Sequence, residues 1–452
     1  MAARAQHRYL ERHIEPGLPP CPLAGTPWDH VLVIPAFHEE AALVERLCDL
    51  PTGDGSTLVI LVLNRPAKLS EPDDNHALRE AVSLLPAGSA KTLKRLTAAV
   101  DLYLHDLDLL SGPLPKNQAV GLARKTGCDI AFKWKCDGAI TSHWICSTDA
   151  DARLPDDYFS RLEQLPPNAV AATYPFWHSP GRDASCNLSS ALYELRLHHY
   201  VLGLEYAGSP YAFYTLGSCL AVTADAYATV RGFPKRAGGE DFYLLNKVAK
   251  TGEVVKLAGD CIQLESRESH RVPFGTGPAV ARISAQADPR AHPLFYHPAC
   301  FEAVRGVLRS APRLASTGLQ DLPKLLCSQH MDPALADACR AALDKLGTGS
   351  AVEHCRRQGK SPQQFMRQFH QWFDGFKTLK FIHAIRDLGW PDCSLAGLDL
   401  LEPRLWPKTG HADAEQLRQA IAHYRGWHLP AQLNHFTSAA DGYPPVTLSG
   451  ET

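Results

Sequence analysis

Little in this chain of 452 residues is extreme, and each thing it lacks closes off a class of protein. It has no excess charge of either sign: 46 Lys and Arg face 48 Asp and Glu, a formal net charge of −2. No global basic field draws it to nucleic acid or to an anionic membrane, so nucleic acid is not an expected partner. It has no Cys-x-x-Cys pair. Thirteen cysteines are scattered along the chain, and the nearest pairs, Cys128/Cys136 and Cys136/Cys146, lack zinc-ligand spacing. They read as reduced thiols of a cytoplasmic protein, mostly buried as small hydrophobes. Long apolar runs are missing as well. Residues 1–20 are polar and charged, without an apolar segment ahead of a small-residue cleavage site. The longest uncharged stretch, 206–224, holds Gly208, Pro210 and Gly217 and suits a loop and strand better than a membrane span. A soluble, cytoplasmic protein with no transmembrane segment is expected. With 45% hydrophobic and 21% charged residues, the chain is neither disordered, collagenous nor a coiled-coil rod.

What is present alternates. A Pro-rich arm, residues 1–24, precedes Val31-Leu32-Val33-Ile34, a short β-branched run with the look of a fully buried parallel strand. A helix over 39–50 follows, with Leu43, Val44, Leu47 and Leu50 on one face. A second run comes at 58–63, and Leu78, Val82 and Leu85 suggest another helix. Strands are expected at 101–104, 143–148, 168–174, 219–223 and 253–257, and helices at 117–132, 188–202, around Ala226 and at 241–250. This alternation predicts an α/β fold with a mixed, mostly parallel sheet and helices on both faces over residues 25–285. Beyond 285 helical patterns dominate. Ser361-Pro362-Gln363-Gln364 is a capping-box start, followed by an aromatic stripe, Phe365, Phe369, Trp372, Phe373 and Phe376, which reads as core. Residues 286–452 therefore form a mainly helical accessory region, able to shape an acceptor site or a homodimer interface.

Three short segments carry chemistry. In Ser147-Thr148-Asp149-Ala150-Asp151, two carboxylates sit two residues apart just past a buried strand, where open α/β sheets place their ligands. The bland reading is Asp as a turn residue. Two close carboxylates repel an anionic substrate, by up to ~4 kcal/mol per pair at an effective dielectric of about 20. A phosphate-bearing substrate there needs a divalent cation between, and hard oxygen ligands suit Mg2+ or Mn2+. In Gly238-Gly239-Glu240-Asp241-Phe242, two acids open a helix. A favourable charge at a helix N-terminus explains having acids there but not two adjacent ones, and an Asp beside a bound hydroxyl can act as general base. The third segment, Ile34-Pro35-Ala36-Phe37-His38-Glu39-Glu40, is a strand end running into an acidic helix start.

In this order, the segments resemble the family 2 glycosyltransferases of the GT-A (Rossmann-like) fold. V-I-P-A-F-H-E-E is similar to the family's opening V-I-P-A-x-N-E-E. Residues 120–127 resemble its A-R-N-x-G helix, and 147–151 its D-x-D metal motif. Arg231-Gly232-Phe233 with Gly239-Glu240-Asp241 resembles its G-G-F…E-D element, and 271–277 a stretch that often follows. The resemblance covers about 31–280. It implies inverting transfer of a sugar, hexosyltransferase-like, from a nucleotide-diphospho-sugar donor to an acceptor hydroxyl with Mn2+ or Mg2+. By that resemblance Asp151 binds the metal, with Asp149 at the ribose or the metal's water shell and His270 where some GT-A enzymes place a third ligand. Asp241 is the general base and Glu240 helps hold the acceptor. Pro35, Ala36, His38 and Glu39 line the nucleotide pocket, Asn64 lies at the base edge, and Lys116 or Arg124 adds charge near base or phosphate.

The chain departs from the family pattern at three places: Asn64 replaces the usual Asp, His38 replaces Asn, and 132–143, with Lys133, Trp134 and Lys135, reads either as a solvated insertion or as a segment touching the acceptor. Trp177, His178, Tyr211 and Tyr214 are read either as sugar-stacking or as structural aromatics. Two other functions compete. One is a non-catalytic nucleotide-sugar-binding or scaffold protein on the same fold. The other is a haloacid-dehalogenase-type phosphatase, disfavoured because its D-x-D normally lies on the first strand and Arg153 occupies the place of its Thr or Val.

Overall fold

The computed structural model describes the chain apart from residues 1, 23–24, 54, 68–73, 182, 267–274, 360, 402–412 and 431–452. Strands form at His30–Ala36 (β1), Thr57–Leu63 (β2), Lys94–Thr97 (β3), Val100–Asp106 (β4), Trp144–Ser147 (β5), Ala169–Thr173 (β6), Phe176–Ser179 (β7), Leu220–Thr223 (β8), Glu253–Lys256 (β9), Gly259–Asp260 (β10), Ile262–Glu265 (β11) and Trp427–His428 (β12). Eight make one sheet in the order β3-β4-β2-β1-β5-β8-β6-β9. β4, β2, β1 and β5 run parallel, as do β6 and β9; β3 and β8 run against their neighbours. This is the expected α/β class with a mixed, mostly parallel sheet. All seven residues of β2 are buried, and alternate residues face opposite sides, so the sheet centre is covered on both.

Helices in the sheet-bearing part are Ala2–Arg12 (α1), Ala42–Cys48 (α2), His76–Leu84 (α3), Leu107–Ser111 (α4), Ala119–Cys136 (α5), Ser160–Glu163 (α6), Ala184–Tyr206 (α7), Ala224–Thr229 (α8) and Glu240–Val248 (α9). Register sets the functional rim. Ala36 pairs with Leu63, and Leu63 with Asp106, so three strands end level. β5 stops where Ser147 pairs with Val33, three residues short of the end of β1, and the chain then climbs to that rim as 148–151.

One sequence reading is overturned here, and the amino-terminal arm holds an element the sequence reading did not name. Residues 133–135 are no solvated insertion: α5 continues to Cys136, and Trp134 is fully buried, stacked on Trp28 at 6.5 Å. The helix persists because Ile130, Phe132 and Trp134 all enter the core. The amino-terminal arm contains a docked helix. Tyr9 of α1 is fully buried, and its hydroxyl donates to Asp129 of α5 (2.5 Å) and accepts from Lys125 Nζ (2.7 Å). Lys125 also pairs with Asp129 at 2.8 Å, and the Tyr227 hydroxyl donates to the same carboxylate at 2.6 Å. A polar composition hid this anchor, because one buried aromatic on a short helix leaves no periodic pattern.

The chain forms two compact units. The first gathers residues up to 190, 215–282 and the stretch from 425; the second gathers 191–214 and 283–424. The second is helical, with Pro298–Leu314, Pro333–Lys345, Pro362–Trp372 and Gly375–Asp387 around a core that includes Val304, Leu343 and Ile382. Phe365, Phe369 and Phe373 lie in that core, as the aromatic stripe predicts. Ser361 Oγ caps its helix by accepting from the Gln364 N–H at 3.2 Å. Past the helical stretch, β12 pairs with β10 of the first unit, a two-residue strand too short to carry a sequence signal. All thirteen cysteines are free thiols, most of them buried. Among the described residues no helix is long and apolar enough to cross a membrane.

Asp129 is the shared acceptor for Tyr9, Lys125 and Tyr227. Asp129→Ala leaves a buried ammonium without its partner and is expected to cost about 3–5 kcal/mol. Chemical unfolding monitored by circular dichroism checks this; a loss below about 1 kcal/mol would show that α1 is held by apolar contact alone.

Candidate functional site

The rim above β1 and β5 is built from backbone outward. The Thr148 N–H donates to Val33 O (3.1 Å), and its hydroxyl donates to Ser218 O (2.9 Å). Arg46 of α2 donates to Ala150 O at 3.0 Å, and Ala152 N closes a turn onto Asp149 O. The Asp-Ala-Asp segment is therefore pinned from three sides. Its Asp149 side chain keeps 41% exposure, and Asp151 is also half-exposed.

Arg124 organises what lies beside it. The A-R-N-like stretch is one face of α5, and Arg124 projects from it into the interior with a side-chain exposure of 2%. Its guanidinium donates to Asp149 (2.7 Å), Glu240 (3.1 Å), Ser147 Oγ (2.6 Å) and Gly217 O (3.0 Å). Burial disfavours the cation, but the Asp149 and Glu240 carboxylates outweigh this and raise its pKa above the ordinary value. Phe233, from the R-G-F turn, lies under the same group at 6.0 Å. Gly217 has no alternative here. A Cβ on it would stand 2.6 Å from the Arg124 terminal nitrogen, a closer approach than real Cβ atoms make.

Glu240 and Asp241 open α9 after Gly239, which holds the left-handed φ of 69° that a Cβ resists. Glu240 is buried against Arg124, whereas Asp241 accepts from its neighbour's N–H at Phe242 (2.6 Å). The Asp241 carboxyl is pushed up to about 7. Burial is the main cause and the Glu240 charge the next, with the Phe242 N–H and Arg124 opposing them and Asp149 adding to the rise. Asp149, Glu240 and Asp241 thus share one electrostatic neighbourhood.

The other half of the rim is the β1–β2 end. Pro35 and Ala36 are buried in β1, Glu39 is buried, and His38 is exposed with a left-handed φ of 54°. Asn64 is buried, and its amide donates to Ala36 O at 2.9 Å, so it ties the two strand ends together. Asn75, absent from the sequence reading, completes this: it donates to Asn64 O (2.9 Å) and accepts from the His38 N–H (3.2 Å). Next to it Arg65 pairs with Asp108 (2.8 Å) and Arg79 with Asp106 (2.7 Å). Lys116 is exposed in the turn before α5. Asn75 and Arg46 had no motif to announce them, since each acts by reaching backbone atoms distant in sequence.

His270 lies outside the described residues. Trp177, His178, Tyr211 and Tyr214 are all buried, so the structural reading of those aromatics holds and the sugar-stacking one falls. Trp177 and His178 belong to β7, which pairs with β11, and both are buried. Among the described residues no group of three or more His, Cys, Asp or Glu is close enough to hold a metal ion. Asp149 and Asp151 are hard oxygen donors on a half-exposed turn. That pair does not form a preformed cage, but it fits a cation of the Mg2+ type, which takes one or two carboxylates and completes its shell from substrate phosphates and water.

No family model and no curated protein matches the sequence. Among solved structures the chain is similar to the mannosyltransferase PcManGT from Pyrobaculum calidifontis, in complex with GDP-Man and Mn2+. The identity is 17% and the TM-score 0.33, over 86% of this chain and 93% of that one. It is also similar to S. aureus TarS 1–349 in complex with UDP-GlcNAc, at 11% identity and TM-score 0.36, over 76% and 91%. The apo WbbM bifunctional glycosyltransferase follows at 10% and 0.27, over 54% and 41%.

Gly217→Ala should cost about 1–3 kcal/mol by overpacking against Arg124. Thermal melting reads the loss, and a neutral result would show that the guanidinium can move aside.

Proposed function

We propose that the chain is an inverting glycosyltransferase of the family 2, GT-A type. It moves a sugar, hexosyltransferase-like, from a nucleotide-diphospho-sugar donor to an acceptor hydroxyl, with Mn2+ or Mg2+. One observation carries the reading: a single buried guanidinium joins a carboxylate of the Asp-Ala-Asp turn to a carboxylate of the Gly-Glu-Asp helix start. Two motifs some ninety residues apart, each weak alone, meet at the carboxyl rim of one sheet, the place where such folds bind ligands.

In this reading the nucleotide lies along Pro35, Ala36, His38 and Glu39, with Asn64 closing the floor at the base edge and Lys116 adding charge nearby. Asp151 and Asp149 would hold the cation, and a divalent ion there stabilises charge on the departing diphosphate. Asp241 takes the proton from the acceptor hydroxyl. An ordinary carboxylate is a weak base for that task. One held near 7 is matched to it at neutral pH, and positioned proton transfer of this kind contributes roughly 10²–10⁴-fold. Glu240, fixed by Arg124, shapes the acceptor side. With base and leaving group on opposite sides of the anomeric carbon, a single displacement inverts it.

Three outcomes test this. Asp241→Asn should retain donor binding and lose transfer by about 10²-fold or more, measured as sugar incorporation against calorimetric donor affinity; retained transfer rejects the base. Asp151→Ala should remove the Mn2+-dependent part of a nucleotide-sugar thermal shift, worth about 2.7 kcal/mol at a hundredfold excess over Kd in the intact protein. Because the base works deprotonated, transfer should rise with pH through about 7 and level above it. A rate falling over that range overturns the assignment, and release of phosphate from simple phosphoesters would point instead to a phosphatase.

A further inference from the structure

We propose that Arg124 is a positioning residue that couples the donor and acceptor halves of the site, and that it does not bind phosphate. The proposal rests on the transferase reading above for which half is which.

The argument is a count of donors. A guanidinium carries five N–H groups. Four of those on Arg124 are engaged: Nε with Glu240, one terminal nitrogen with both Ser147 Oγ and Gly217 O, and the other with Asp149. Bidentate recognition of a phosphate needs two N–H groups side by side, and at most one is left. At 2% exposure the side chain also has no open face toward the rim. The sequence motif places a cation near the donor, but folding turns that cation inward.

What remains is a shared charge. Asp149 of the Asp-Ala-Asp turn and Glu240 of α9 draw on the same buried cation at 2.7 and 3.1 Å. Neutralising one leaves the whole field of the guanidinium on the other. Because such coupling is reciprocal, what binds on one side changes the affinity on the other. A lysine cannot stand in, since a compact ammonium does not span four acceptors on three separate segments.

A mutant cycle with an equilibrium readout tests this. The Kd for UDP and for GDP, each with MnCl2, is measured by calorimetry in wild type, Glu240→Gln, Arg124→Gln and the double variant. Whichever nucleotide binds wild type is followed. Glu240→Gln lies on the acceptor side, yet it should weaken nucleotide binding about fivefold, because the full cation then compensates Asp149 and lowers its pull on Mn2+. In the Arg124→Gln background the same change should do almost nothing. Arg124→Lys should behave like Arg124→Gln in the cycle. Equal effects of Glu240→Gln in both backgrounds, or none in wild type, overturn the coupling. If neither Arg124 variant folds, the wild-type arm alone decides. Absence of any Mn2+-dependent binding to wild type overturns the transferase reading itself, and so is distinct from binding with an additive cycle.

Discussion

The site is constrained by an excess of negative charge at one sheet rim. Asp149, Glu240 and Asp241 gather about a single buried guanidinium. Three carboxylates gather around one cation although close like charges repel and burial penalises a charged group. The surrounding fold serves to hold them there. Strand register brings the rim level, α5 aims Arg124 inward, and Gly217 leaves it room. The elevated Asp241 carboxyl is a consequence of the same crowding.

Most of this frame was legible in the sequence because buried parallel strands announce themselves. The β-branched runs at 31–34 and 58–63 are fully buried, and each became a strand of the expected type. The chemistry-bearing motifs stood out for a different reason: each acidic turn is commonplace alone, and only their order along the chain was distinctive. Much less legible was anything that depends on one side chain meeting a distant backbone. Asn75, Arg46 and Gly217 fall in that group. So does the anchoring of α1, where the buried Tyr9 makes the central contact.

One error has a plain cause. Lys133-Trp134-Lys135 looked solvated because its charges flank the tryptophan, yet neighbouring residues on a helix are rotated by about 100° and Trp134 faces the core. The half-buried lysines advertised themselves and the ring did not. Local polarity was read as exposure, and burial was decided by which neighbours arrive from elsewhere in the chain. Trp177 and His178 stood open between sugar-stacking and structural roles, and their burial favours the structural one.

Arg124 and Lys125 are adjacent on α5 and serve different partners, the first the Asp149 and Glu240 carboxylates and the second the Tyr9–Asp129 anchor. Successive residues on such a helix are rotated by about 100°. Inserting or deleting one residue between 119 and 123 would therefore swing the wrong cation toward each partner at once, stranding two ion networks together. The length of the first turn of this helix is therefore a dimension the molecule is not free to change.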